Sequence, residues 1–263
     1  MSPPRPPAVF ITGASRGLGR ELAREYARRG ANLGLVARAA DALEELADEL
    51  VQRHGVRCLA LAADVRDPAS MRSAAGHFMD EFGVPDRVIA NAGVSTGTLT
   101  EYAEDYAAFR QVLATNVLGM VATFAPFVPC MKANGQGTLV GVASVAGVRG
   151  LPGAGAYSAS KAAAIRYLES LRVELRPARV RVVTLCPGYV DTDMTAGNPY
   201  PMPFLLRADE AARRLVRAIE RGASYAVIPW PMALTARALA LLPNAVYDRL
   251  FVHAGRKPRG RPL

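Results

Sequence analysis

The sequence predicts a three-layer α/β domain built on a doubly wound parallel sheet of about seven strands. Short β-branched or apolar runs alternate with longer helical patterns along most of the chain, as successive βαβ crossovers do. Several runs are apolar almost throughout, Val180-Arg181-Val182-Val183-Thr184-Leu185 among them, as strands covered on both faces are. Hydrophobic residues make up 51% of 263, enough for one sizeable core and too many for a disordered chain.

The elements follow in order. Residues 1–7 are Pro-rich, with no apolar signal core before Val9, and are expected to be disordered at the start of a cytoplasmic protein. Strands are expected at Ala8–Thr12, Asn32–Ala37, Arg57–Ala63, Arg87–Asn91, Thr138–Ala143, Val180–Leu185 and Ala226–Pro229, where β-branched and apolar residues cluster. Helical patterns fill the gaps near Leu18–Arg29, Ala40–Arg53, Pro68–Glu81, Tyr106–Lys132, Ala156–Leu175 and Ala208–Arg221. No linker or repeat interrupts the series, so residues 8–230 form one domain. Two segments break the alternation. Residues 189–206 carry Pro199, Pro201 and Pro203 beside Tyr200, Met202, Phe204, Leu205 and Leu206, and a long connection of this kind is expected to be a substrate lid. Residues 231–252 read as an apolar helical extension interrupted by Pro243, and 253–263 as a basic, flexible tail.

Composition excludes several functions. Cys58, Cys130 and Cys186 are scattered and read as reduced thiols; His54, His77 and His253 have no ligand spacing, so no metal site is expected. No run of about 18 uncharged apolar residues suggests a membrane span. The net charge is +9, yet no aromatic interleaving supports nucleic-acid binding. Only Lys132, Lys161 and Lys257 among 32 basic residues are lysines, which makes Lys161 stand out, since Lys is a compact point charge and Arg a planar fork.

Thr12-Gly13-Ala14-Ser15-Arg16-Gly17-Leu18-Gly19 follows the first strand and opens the first helix. Glycines there permit a tight turn and close approach to a pyrophosphate, and the helix N-terminus offers free N–H groups. At the end of the second strand, where an acidic residue ordinarily meets the ribose of NAD, stand Ala37 and Arg38. With Arg16 in the turn, two guanidiniums suit a 2′-phosphate, hence NADP(H) rather than NAD(H). Further on, Tyr157 and Lys161 lie one helical turn apart, thirteen residues after Ser144. A neighbouring ammonium lowers a phenol's pKa and readies it for proton transfer.

With these features placed, the chain resembles the short-chain dehydrogenase/reductase family, a Rossmann-type fold, from about Ala8 to Thr192. The match takes in Asp64-Val65, Asn91-Ala92-Gly93, Asn116, Tyr157-Ser158-Ala159-Ser160-Lys161, and Pro187-Gly188 with Val190 and Thr192. The resemblance implies that Gly13, Ser15, Arg16, Gly17, Leu18 and Gly19 cradle the pyrophosphate. Asp64 and Val65 would meet the adenine, and Asn91, Ala92 and Gly93 the floor beneath it. Pro187, Gly188, Val190 and Thr192 would hold the nicotinamide. It implies a catalytic set of Asn116, Ser144, Tyr157 and Lys161. Tyr157 is the general acid or base, Lys161 also binds the nicotinamide ribose, and Asn116 holds a water that links Lys161 to solvent. The expected reaction is NADP(H)-dependent interconversion of a carbonyl and an alcohol. The apolar lid, with Trp230 and Met232 at its rim, suggests a lipophilic substrate. A 3-oxoacyl-[acyl-carrier-protein] reductase and a non-catalytic NADP(H) sensor remain open as alternatives. The family usually associates as a homodimer or homotetramer, through helices matching Tyr106–Lys132 and Ala156–Leu175. Peripheral membrane contact by the extension is not the expected reading.

Overall fold

The computed structural model describes residues 5–260. Its strands and helices alternate as expected: β1 (Ala8–Thr12), α1 (Gly17–Arg28), β2 (Asn32–Ala37), α2 (Ala40–His54), β3 (Cys58–Ala62), α3 (Pro68–Phe82) and β4 (Arg87–Ala90). After these come α4 (Asp105–Leu113), α5 (Gly119–Phe124), α6 (Val128–Asn134), β5 (Thr138–Val142), α7 (Gly155–Leu175) and β6 (Arg181–Pro187). The chain continues through β7 (Val190–Asp191), β8 (Leu206–Arg207), α8 (Ala208–Glu220), β9 (Tyr225–Ile228), α9 (Trp230–Leu241) and α10 (Asn244–Phe251). Seven strands form one parallel sheet in the order β3-β2-β1-β4-β5-β6-β9. The order reverses direction between β1 and β4, and loops at that switch point part to leave a crevice at the strands' C-terminal ends.

Alternation within β1 shows why the sheet is buried on both sides. Val9 and Ile11 join one apolar cluster with Leu22, Leu33 and Leu215, while Ala8 and Phe10 join another with Phe78, Phe127 and Leu168. Successive side chains point to opposite faces, so an uninterrupted apolar strand serves both layers. Phe10 packs edge-on against Phe78 and Phe127, with centroids 5.4 and 4.8 Å away, the favoured aromatic geometry.

The long helical run departs from expectation. Tyr106–Lys132 is not one helix: a π-helical turn over Ala114–Leu118 separates α4 from α5, and Pro126 and Pro129 accompany the break before α6, because Pro cannot donate within a helix. Within the stretch Asp105–Asn134 the most apolar 18-residue window has mean hydropathy 1.6, and half of that window is buried inside the protein. By length and composition it meets the test for a membrane span that the sequence reading found nowhere. Its inner side chains, Met120, Phe124 and Met131, instead join the core.

The described residues near both ends make contacts with the body of the domain. Arg5 pairs with Asp86 at 3.3 Å, and the Pro7 carbonyl accepts from Asn32 N at 2.8 Å. The basic segment is held too, by contacts given below. Residues 1–4 and 261–263 lie outside the described residues. The lid is pinned at its base by the parallel pair β7–β8.

Candidate active site

The crevice is a cleft of about 870 Å³. At one end lies the glycine turn, where Gly13, Ser15, Arg16, Gly17, Leu18 and Gly19 all face it. Gly13 and Gly17 take φ of +68° and +53°, which glycine adopts without steric cost. The first turn of α1 contains no acidic residue, and no side chain caps it, so its N–H groups and positive dipole end are left for an anion. Arg20 braces the turn, donating to the Ser15 carbonyl at 2.6 and 3.0 Å. Asn91 pins it from β4: its Nδ2 donates to the carbonyls of Thr12 and Gly13 at 3.0 and 3.2 Å.

Arg38, Asp64 and Val65 face the neighbouring wall, with Ala92 and Gly93 below. Asp64 is engaged by Arg66, which donates from Nη2 at 2.5 Å and from its backbone at 2.9 Å, and these bonds hold the carboxyl below its usual range. Sequence reading missed Arg66 and Arg20; neither belongs to a spacing pattern. Pro187, Gly188, Val190 and Thr192 face the opposite end, beside Ser144, Tyr157 and Lys161. The turn, the two arginines and the cleft's length fit a dinucleotide.

Ser144 stands where β5 gives way to a short 3₁₀ turn, and its Oγ accepts from Ala146 N at 3.1 Å. Tyr157 sits in the first turn of α7 and Lys161 one turn later. The expectation for the phenol is corrected: burial pushes its pKa up, and the nearby Ser144 hydroxyl opposes that only in part. Lys161 donates to the Val142 carbonyl at 2.8 Å, with Nζ 5.8 Å from the Tyr157 ring centroid. Burial lowers its pKa to about 8. Spacing predicted the adjacency but not the desolvation, which disfavours both charged forms.

This shift has a sign that can be tested. Below about pH 8 Lys161 is charged in folded and unfolded chains alike, and its burial costs stability. Between about 8 and its ordinary 10.5 the unfolded chain holds the extra proton, so stability rises with pH across that window. Lys161→Met is expected to exceed wild type at neutral pH by on the order of 3 kcal/mol. Denaturant titrations should show the gain vanishing as pH climbs through the window; a pH-independent difference would contradict it.

Asn116 is placed apart from the other three. It is buried in the π-helical turn, behind Gly93 rather than in the cleft. Its Oδ1 accepts from Val94 N at 2.8 Å, and its Nδ2 donates to Val94 O at 3.0 Å and Ser160 Oγ at 2.9 Å. A side chain committed in this way holds the 93–95 segment against α7.

The lid differs as well. Thr192, Asp193, Met194 and Thr195 face the cleft, but Met202, Phe204, Leu205 and Leu206 do not. Phe204 and Leu205 are exposed, Leu206 is buried in β8, and Trp230 is 70% exposed on the surface. Met232 packs beneath Gly188. Tyr200 is close enough to Tyr157 to affect its charge and stacks against Gly255.

Comparison with known proteins agrees with this geometry. The short chain dehydrogenase family profile matches residues 7–200. An uncharacterized oxidoreductase of Myxococcus xanthus is 40% identical over 240 residues, 91% of this chain and 94% of that one. A short chain dehydrogenase from Burkholderia cenocepacia, solved with NADP, superposes with a TM-score of 0.80 at 30% identity, covering 94% of this chain and 98% of that one. A relative from Burkholderia phymatum, solved with NAD, gives 0.81 at 26% identity, covering 98% of both. The fold, the glycine turn and matches of this length lead to one conclusion: the chain belongs to the short-chain dehydrogenase/reductase family and is an oxidoreductase.

Proposed function

We propose that this protein interconverts a carbonyl and an alcohol with NADP(H), Tyr157 serving as the general acid or base. The observation that carries the reading is the convergence of Ser144, Tyr157 and Lys161 on the same cleft that the glycine turn opens into. A carbonyl accepting hydride gathers negative charge on oxygen, and the two hydroxyls stabilise it there. Bound nicotinamide supplies the hydride. Tyr157, kept protonated by burial, gives its proton to that oxygen, and Lys161 places positive charge nearby. Asn116 is a positioning residue through Val94 and Ser160. Val94 and Met194 give the substrate end an apolar lining, which supports a substrate with an apolar body.

The preference for NADP(H) rests on Arg16 and Arg38, both facing the cleft where β2 ends without a carboxylate. Several solved relatives carry NADP or NADPH and one carries NAD, so the preference is argued from this chain's own residues. Turnover of a carbonyl panel, followed by cofactor absorbance, is expected to favour NADPH over NADH at least about tenfold in kcat/KM, the scale of a charge-assisted contact to phosphate. Arg38→Asp should collapse or invert the ratio. A wild-type preference for NADH would overturn the assignment, and tight NADPH binding without turnover across the panel would mark a sensor.

A further inference from the structure

Helices α9 and α10 contribute no side chain to the cleft. In α9 the one charged residue is Arg237. A helix apolar around its whole circumference is ordinarily covered on every side. Here the domain covers one side only. Met232 and Ala236, a turn apart, are buried, and Met232 packs beneath Gly188. Trp230, Leu234 and Leu241 share the opposite side, at the i, i+4 and i+11 positions of one face, and are 70%, 58% and 84% exposed. Arg237 and Ala238 lie between them and are exposed as well. In α10 the same division recurs. Tyr247 is its buried anchor: the hydroxyl donates to the Gly150 carbonyl, the ring stacks on Phe251 with centroids 4.4 Å apart, and Arg149 lies over it at 4.4 Å. Val246 and Leu250, a turn apart, are exposed, as is Val252. An apolar surface of this extent marks a docking site.

The charge around that surface is one-sided. After Glu220 the sequence has one acidic residue, Asp248, against six arginines and one lysine. Arg259 is matched, by Asp105 at 2.7 Å and Glu104 at 3.0 Å. Arg237 and Arg249 stand exposed on the two helices. A second copy meeting this face about a twofold axis would set arginine against arginine, whereas an anionic lipid surface complements both. Exposed leucines beside a tryptophan and arginines are the composition of helices that lie among lipid headgroups. With 12 residues, α9 is about 18 Å long, too short for a hydrocarbon core of about 30 Å, so it would lie on a bilayer without crossing it.

We propose that the exposed face of α9 and α10 docks on a bilayer bearing anionic headgroups. Trp230, Leu234 and Leu241 enter the acyl boundary, and Arg237 and Arg249 meet the headgroups. The sequence reading did not expect this contact, because an apolar run of this kind also suits a core; only the packed domain shows which side is left uncovered. Docking of this kind is independent of the reaction proposed above.

Trp230 is the chain's single tryptophan and reports on the face directly. Its emission is expected to move to shorter wavelength when the full-length protein meets phosphatidylcholine vesicles in which a third of the lipid is phosphatidylglycerol, and to be quenched by bromine carried on their acyl chains. Flotation with the same vesicles should show binding that weakens as salt is raised, and vesicles of phosphatidylcholine alone should bind about tenfold less. Leu234→Ser and Leu241→Ser should each weaken binding about tenfold, and Arg237→Gln and Arg249→Gln about fivefold each. All four side chains are exposed, so the fold does not depend on them. Emission unchanged by anionic vesicles, equal binding to uncharged ones, or binding that survives Leu234→Ser combined with Leu241→Ser would overturn the proposal. So would an emission shift that follows protein concentration in the absence of vesicles, since a second copy would then be what covers the face.

Discussion

Replacing Tyr157 with Phe is expected to cut carbonyl reduction by about a thousandfold, within the range that general-acid groups contribute, while NADPH titrations change little. The ring remains to fill its place at the start of α7, but the hydroxyl beside Ser144 is gone, and with it the proton source and one of two donors to the developing oxyanion. Direction matters for the pH profile. Burial raises the phenol's pKa, so the acid form persists above neutrality and reduction should stay level there. Alcohol oxidation needs the phenolate and should climb with pH. Single-turnover rates in both directions across pH would show this; near wild-type reduction by the Phe enzyme would remove Tyr157 as the acid.

Gly19→Ala should be nearly as damaging by a different route. A Cβ at Gly19 would stand 2.0 Å from the Gly13 carbonyl oxygen and 2.5 Å from Asn91 Nδ2, and backbone on one side cannot swing aside. Relief requires the start of α1 to move away from the turn and breaks the bonds by which Asn91 ties β4 to Thr12 and Gly13. The expected cost is about 3 kcal/mol of stability, at the upper end for overpacking. Dinucleotide affinity should fall about a hundredfold, because the displaced N–H groups no longer converge on one phosphate. Gly76→Ala is the control: it lies within α3 with nothing inside 4 Å of its Cβ position, so it should stabilise the protein by up to about 1 kcal/mol. Thermal unfolding with and without NADPH compares the two. A Gly19→Ala protein that melts and binds like wild type would mean the turn tolerates a side chain.

The parts read correctly in advance depend on neighbours in sequence. The strands were placed to within a residue or two because apolar runs and their helical intervals carry their own periodicity. Thr12 to Gly19 could be read as a phosphate turn because turn, helix start and preceding strand are contiguous. Tyr157 and Lys161 could be paired because one helical turn separates them. What the sequence left open has the opposite property. The π-helical turn directs the Asn116 side chain to Val94 and Ser160, on segments far along the chain. The lid looked like an apolar cap, but whether Phe204 and Leu205 face the cleft or the surface depends on how β8 pairs with β7.

By itself, then, the sequence determined the order of layers, the glycine turn that opens α1 and the adjacency of Tyr157 and Lys161, since local spacing and periodicity suffice for these. Tertiary structure alone decided that the phenol is raised rather than lowered, because desolvation is set by everything packed around a group. It alone decided that Arg259 packs back onto the loop after β4, held by Asp105 and Glu104. Arg259 finds Asp105 more than 150 residues upstream, and no local composition encodes a contact made over that distance.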